Sequence, residues 1–302
     1  MLKMYHDTPL AGRKKKVLLE TVVSCVVLAC IAVLVYRITV SMHYRWNWGV
    51  IAQYLFRYDP DQGRWVDNIL VTGLWTTIRL SIWSSLLASV FGLFMGVMRT
   101  MDRLFFRLVS LSYVELIRNI PALVLVFIFY FFVSDQLMPM WGVDDFVRGR
   151  TADVQKWLAI LVAPPAHFTS FVSGVITVAL FQGAYIAEIV RAGIQSLEKG
   201  QWEASASLGL SWTQQIRHII LPQAARRVLP PLANEFINTI KYSSIVSVIS
   251  IQELTFQGLQ VMAATQATIE VWITISAMYF VLCFCASLAV HRLEKYMARG
   301  DT

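Results

Sequence analysis

The side chains in this sequence that could do chemistry are charged or amidic groups set inside apolar stretches. Glu115, Arg118 and Pro121 share one such stretch, Glu188 and Arg191 close another, and Asn234, Glu235, Asn238 and Lys241 share a third. In hydrocarbon each of these groups is costly unless it is paired or faces water, so each marks a pathway, a gate or a helix contact. Asn234, Asn238 and Lys241 recur at i, i+4 and i+7, one helical face, which suits a pathway or a dimer seam; simple interhelical hydrogen bonding is the plainer reading. Glu188 and Arg191, at i and i+3, are either an ordinary ion pair at the membrane edge or part of a gate. Pro121 breaks the backbone ladder beside Arg118, and broken helices offer carbonyls and dipole ends to a zwitterion. For an amino acid, Arg118 or Lys241 would meet the carboxylate, and Glu115 or Glu235 the ammonium.

Catalysis has little support. His6, His43, His167, His218 and His291 are scattered, and the H-E-x-x-H, G-x-S-x-G and G-x-x-x-x-G-K-[ST] patterns do not occur. No metal or ATP site is therefore expected in this chain. Cys25, Cys30, Cys283 and Cys285 lie in apolar stretches without the spacing of a zinc site or a redox pair, and act as small hydrophobes.

The elements that hold these groups follow from composition. Of 302 residues, 57% are apolar and 15% charged, whereas a soluble domain carries about 25% charged residues. Soluble, disordered, collagen-like and disulfide-scaffold classes are excluded, leaving an all-α polytopic membrane helix bundle. A span needs about 20 apolar residues, which gives about six: Val17–Tyr36, Ile69–Val97, Leu108–Val133, Phe168–Val190, Leu229–Ile251 and Ile269–Val290. The first is too long for the h-region of a signal peptide and reads as a retained helix. Arg79 is placed to snorkel to an interface, and Pro230-Pro231 argue against a continuous fifth helix. The resulting divisions are a basic N-terminus (1–16), an accessory span (17–36), an outer loop (37–67), a core (68–292) and a tail (293–302). Trp46, Trp48 and Trp65 suit the outer loop to an interfacial segment.

The net charge of +7 suggests nucleic acid only until the basic residues are placed. They flank the spans, with 16 on the side of the N-terminus, from Lys3 and Arg13 through Arg99 and Arg191 to Arg299. Another 7 lie opposite, among them Arg37, Arg148 and Lys156. That bias puts both termini in the cytoplasm, with membrane lipid and not nucleic acid as the surrounding partner.

The longest cytoplasmic segment is 191–227. A short helix from about Gln201 to Leu208 meets Gly209, a left-handed stop. Ser211 and Gln214 then form a capping box, and Pro222 kinks the second helix near Leu221. Two short helices at an elbow suit a groove on another protein.

Glu203-Ala204-Ser205, Gly209, Ile219 and Leu221-Pro222 resemble the EAA loop of ABC importer permeases, EAA-x3-G-x9-I-x-LP, with Ser205 replacing the second alanine. The likeness runs from about Ile69 to Arg292. Ala184–Ile194, Gly200–Ala204 and Tyr113–Pro121 are similar to the polar amino acid branch, although Asn119-Ile120 and Tyr242 depart from its pattern. The resemblance implies a type I ABC importer permease of a bacterial inner membrane, moving polar amino acids. ABC ATPase subunits would dock on the EAA-like loop and would bind the ATP and Mg that this chain does not. An extracytoplasmic amino-acid-binding protein would deliver substrate onto the loops around 37–67, 134–167 and 252–268. A second copy or a related permease would complete the assembly. A secondary transporter or channel would need no docking loop, and an intramembrane enzyme would need a catalytic dyad.

The charge bias generates a topological prediction. Cysteines introduced at positions 203 and 144 and labelled from outside intact cells should react at 144 and not at 203. The reverse pattern would overturn the orientation.

Overall fold

The computed structural model describes residues 9–41, 44, 46–61 and 63–298. The chain divides into two units, Met1–Asn47 and Trp48–Thr302. The first contains α1 (Pro9–Ser41), whose described apolar stretch is Leu18–Val33. Leu18, Leu19, Val22, Val23, Val26, Val27, Leu28 and Ile31 are all exposed, as apolar side chains facing lipid are. The expected basic N-terminus and the tail lie partly outside the described residues, which omit 1–8 and 299–302.

The second unit is helical apart from one hairpin. In order it comprises α2 (Gly49–Leu55), β1 (Phe56–Asp59), β2 (Arg64–Asp67), α3 (Ile69–Met98), α4 (Leu104–Asn119) and α5 (Ala122–Phe132). Then follow α6 (Met138–Met140), α7 (Val143–Arg148), α8 (Ala152–Leu161), α9 (Phe168–Gln195), α10 (Lys199–Ser207), α11 (Trp212–Gln215), α12 (Leu221–Tyr242), α13 (Leu254–Thr265) and α14 (Thr268–Ala298). β1 and β2 pair antiparallel, Phe56 with Asp67 and Tyr58 with Trp65. The sequence reading as all-helical omitted this hairpin, because four-residue strands leave too short an alternation to stand out.

Among the described residues, four helices are long and apolar enough to span: Ile69–Met98, Ala122–Met140, Pro165–Gln195 and Thr268–Arg292. A fifth arises if Trp212–Ile249 and Leu254–Thr265, bent by 50°, count as one. Of the expected six, Val17–Tyr36 lies outside this count, because its described apolar stretch is Leu18–Val33. The expected span Leu108–Val133 is two helices. Ile120 and Pro121 are extended, since a residue before proline avoids the helical region. The Asn119 side-chain amide donates to the Glu115 carbonyl at 2.7 Å in the last turn before the break. The expected break at Pro230-Pro231 does not occur; both prolines lie inside α12. Their fixed φ suits a helix, and the two carbonyls they leave unpaired belong to the exposed Arg226 and Arg227, within reach of water. The backbone instead tightens at Ser243–Ile249 and turns at Ser250, in the left-handed region at φ 61°. Arg79 donates to the Ala159 carbonyl at 2.5 Å and, beside Trp83 on Leu161, caps the end of α8.

The core is built on α3 and α9. A Cβ at Gly92 would lie 2.6 Å from Ile186 Cβ, and one at Gly96 would lie 2.6 Å from Val190 Cβ and 2.7 Å from the Ala187 carbonyl oxygen. Small residues four apart let two helix backbones touch, and in lipid such contact is the main cohesive force. Gly96→Val should therefore cost about 1–3 kcal/mol of overpacking, lowering thermal stability and folded yield in detergent. Gly200→Ala, where an added methyl meets nothing within 4 Å, should leave both unchanged. Equal stability of the two variants would show that the seam is not tight.

Candidate functional site

Two sites emerge, an elbow on the surface and a charged cluster, with a cavity between α3, α9 and α12 besides. The elbow begins with α10, which ends in a Schellman turn: Gly209 N–H donates to Ala206 O at 2.9 Å and Leu210 N–H to Ser205 O at 3.3 Å. Gly209 stands at φ 78°. Ser211 and Gln214 form the expected capping box. The backbone then widens for one turn at Ile216–Ile220, and α12 starts with Pro222 in its first turn. The motif residues divide by burial. Glu203, Ala204, Gly209 and Pro222 are exposed, as is Leu208 at 77%, whereas Ser205 is buried and Ile219 and Leu221 are half-buried. Ser205 bonds back to the Trp202 carbonyl at 2.8 Å, so its hydroxyl is satisfied without a partner protein. Trp202, Trp212, Ile219 and Leu221 pack with Ile194, Leu197, Ile216 and Ile220, rooting the elbow on the end of α9.

The second site gathers Glu115, Arg118, Glu188 and Arg191. Arg191 Nε lies 3.1 Å from both Glu188 oxygens, and its Nη2 also contacts that carboxylate. Arg99 Nη1 reaches Glu188 at 2.5 Å and its Nη2 reaches Glu115 at 3.3 Å. Arg118 is farther from Glu188, at 3.9 Å. Sequence reasoning counted Arg99 only as a topological cation. Nothing in its spacing betrays the contact; it depends on α3 and α9 touching, which brings the end of α3 level with Glu188. Pro121 contributes by ending α4, which leaves Arg118 at the helix terminus.

The residues of α12 are spread over its surface. Asn234 and Lys241 are exposed, while Glu235 and Asn238 are half-buried and joined at 3.2 Å. Glu235 and Thr239 line a cavity of about 230 Å³ with Ser85, Ser89, Ile186 and Phe236. Gln182 Nε2 donates to Thr239 at 2.9 Å, tying α9 to α12 at this level. The Ser85 hydroxyl and Gln182 Oε1 are buried and have no hydrogen-bond partner among the described residues. Tyr185 lies one turn along α9 from Gln182, and Phe181 packs at a tilt on Tyr185 and edge-on to Tyr242. Tyr185 and Gln182 were not singled out in the sequence, because uncharged groups on a mostly apolar helix look like ordinary packing.

Among the described residues the arrangement is a surface elbow, a charged cluster and a small, partly polar cavity. Residues 88–299 match the family described as binding-protein-dependent transport system inner membrane component. The chain is 32% identical over 233 residues to the probable glutamine ABC transporter permease protein GlnM of Bacillus subtilis, covering 77% of this chain and 95% of that one. It is 34% identical over 229 residues to the glutamine transport system permease protein GlnP of Escherichia coli K12, covering 76% and 93%. A crystal structure of an amino acid ABC transporter with histidines matches at a TM-score of 0.58 and 33% identity, covering 76% of this chain and 94% of its own. Elbow, cavity and matched length lead to one statement: the chain belongs to the inner-membrane permease family of binding-protein-dependent ABC importers, a multi-pass transport subunit whose ATPase and substrate-binding protein are separate chains.

Proposed function

We propose that this permease carries polar amino acids inward, with both termini in the cytoplasm and substrate received on the opposite side from an amino-acid-binding protein. The features that support the substrate assignment are a cation, Arg118 at the end of α4, and an anion, Glu235 on the cavity wall of α12. Glu115, Glu188, Arg99 and Arg191 are engaged with one another, so their charges are largely spent. Among the described residues Arg118 has its long contact to Glu188, and the Glu235 carboxylate has the Asn238 amide. A cation and an anion with bonding capacity to spare fit the carboxylate and ammonium of a zwitterion. The unpartnered Ser85 and Gln182 atoms beside the cavity support a hydrated passage, since water would satisfy them. The names of the similar permeases point to the same substrate class.

In this reading the exposed Glu203, Ala204 and Leu208 form the face that an ATPase subunit receives, and Gly209 sets its angle. The exposed Asn234 and Lys241 would be expensive against lipid, which supports a second permease, identical or related, covering α12. The helix α1, ahead of the matched residues, acts as an accessory anchor.

Two outcomes test the proposal in vesicles holding permease, ATPase and binding protein. Gly209→Val, which forces a β-branched residue into left-handed backbone at a cost of about 1–2 kcal/mol, should abolish uptake and ATPase association while the chain still inserts. Gly209→Asn should retain both, since asparagine tolerates that region. Normal uptake by the valine variant at normal expression would remove the elbow from energy coupling. Separately, Arg118→Gln and Glu235→Gln should each raise the half-saturating amino acid concentration about tenfold or more, as loss of a charged hydrogen bond does, with ATPase docking unchanged. An unaltered concentration dependence in both would move the substrate site elsewhere.

A further inference from the structure

The β1–β2 hairpin carries a feature that neither the elbow nor the charged cluster accounts for. Directly paired residues of an antiparallel pair share a face, and faces alternate along each strand. Phe56, Tyr58, Trp65 and Asp67 therefore form one face, and Arg57, Asp59, Arg64 and Val66 the other. The aromatic residues are 48%, 54% and 69% exposed, with Tyr58 and Trp65 edge-to-face at 5.8 Å. Asp59 and Val66 are the least exposed residues of the two strands, and both lie on the opposite face. The polar face thus leans on the protein and the aromatic face turns away from it.

Its position is fixed. Asn68 alone separates β2 from α3, caps that helix by accepting from Ile69 N–H at 2.8 Å, and donates to the Gln53 carbonyl at 2.5 Å. Its own N–H donates to the Leu55 carbonyl at 2.9 Å. Beneath it, Ile51 of α2 is buried with Leu70 and Leu254. The hairpin is therefore held one residue from the point where a membrane span begins, at the level of the bilayer surface. A two-stranded hairpin is marginal in water, and three exposed aromatics make it more so. Tyrosine and tryptophan rings, apolar with one polar edge, favour the boundary between headgroups and acyl chains. The strands and turn carry both signs of charge, Arg57 and Arg64 against Asp59, Asp61 and Asp67, which suits zwitterionic headgroups and not a polyanionic surface.

We infer that the aromatic face of this hairpin, Phe56, Tyr58 and Trp65, is bedded in the headgroup–acyl boundary of the leaflet that α3 enters at Ile69. The hairpin then acts as an outrigger that fixes the depth and tilt of α3. Its occupant is lipid; the competing occupant is the substrate-binding protein.

Spin labels on the full-length chain in phosphatidylcholine vesicles distinguish the two, with the four native cysteines replaced by serine. Labels introduced by Tyr58→Cys and by Trp65→Cys should collide with oxygen severalfold more than with a water-soluble nickel chelate. A label at Arg57→Cys, on the opposite face, should show the reverse. Similar nickel access at 57, 58 and 65 would overturn the inference, as would shielding of 58 and 65 that appears only when the binding protein is added. Should a cysteine variant fail to fold, fluorescence quenching by brominated phosphatidylcholine supplies the same test. The Trp65→Phe chain should lose a lipid-quenched component that the native chain has, and an unchanged quenching profile would overturn the inference. Neither readout depends on which amino acid is carried.

Discussion

The close contact of α3 with α9 is the constraint from which the remaining geometry follows. In lipid, helices gain nothing by hiding apolar surface from one another, so cohesion rests on van der Waals contact and on the few hydrogen bonds between them. Gly92 and Gly96 remove the side chains that would hold Ile186, Val190 and the Ala187 carbonyl away. Once the backbones touch, Arg99 at the end of α3 lies over Glu188, and Ser84 reaches the Val175 carbonyl at 3.3 Å near the other end. Helix α4 is then laid across the pair. Tyr113 donates to the Leu180 carbonyl of α9, and Ser110 donates to Met95 of α3 at 2.6 Å.

That placement gives the charged cluster a positional role more than a stabilising one. A buried ion pair repays little beyond its desolvation cost, yet removing one partner leaves an expensive uncompensated charge. Here the Glu188 carboxylate is shared by Arg99 and Arg191, and Arg99 in turn holds Glu115 of α4. The ends of α3, α4 and the middle of α9 are tied through a few polar contacts that can be exchanged as a set. Arg118 stands at the edge of this set, 3.9 Å from Glu188.

Local structure was legible wherever a residue type constrains its own backbone. Gly209 announced a left-handed stop, Ser211 and Gln214 a capping box, and Pro121 a broken ladder, and all three are present. What misled was the assumption that apolar length equals a span. Leu108–Val133 satisfies the count, yet Pro121 divides it, and the spanning helix is Ala122–Met140. Pro230-Pro231 misled in the opposite direction, because two prolines disrupt a helix only where their orphaned carbonyls lack water or another donor. Of the site, charged members were visible because charge in an apolar run is conspicuous. Arg99, Tyr185 and Gln182 were not, since their roles depend on a helix contact between distant segments, and that contact rests on glycines that look unremarkable one at a time.

The two helices that border the passage differ mechanically, and the difference bears on how the proposed docking elbow would act. Helix α9 runs unbroken from Phe168 to Gln195, about 42 Å at 1.5 Å per residue. The elbow is rooted on its end through Trp202 and Leu197, and Glu188, Tyr185 and Gln182 follow along its length. Helix α12 is irregular at both ends, widened at Ile216–Ile220 and tightened at Ser243–Ile249. Such turns mark places where backbone register shifts at low cost. Force applied at α10 would pass along α9 as a rigid rod, while α12 accommodates through its two irregular turns. The Gln182–Thr239 hydrogen bond lies between rod and yielding partner, so relative sliding would be felt there first. A substrate that bridges Arg118 and Glu235 would resist that sliding, and in this way binding at the passage and loading of the elbow would oppose or assist each other through one helix.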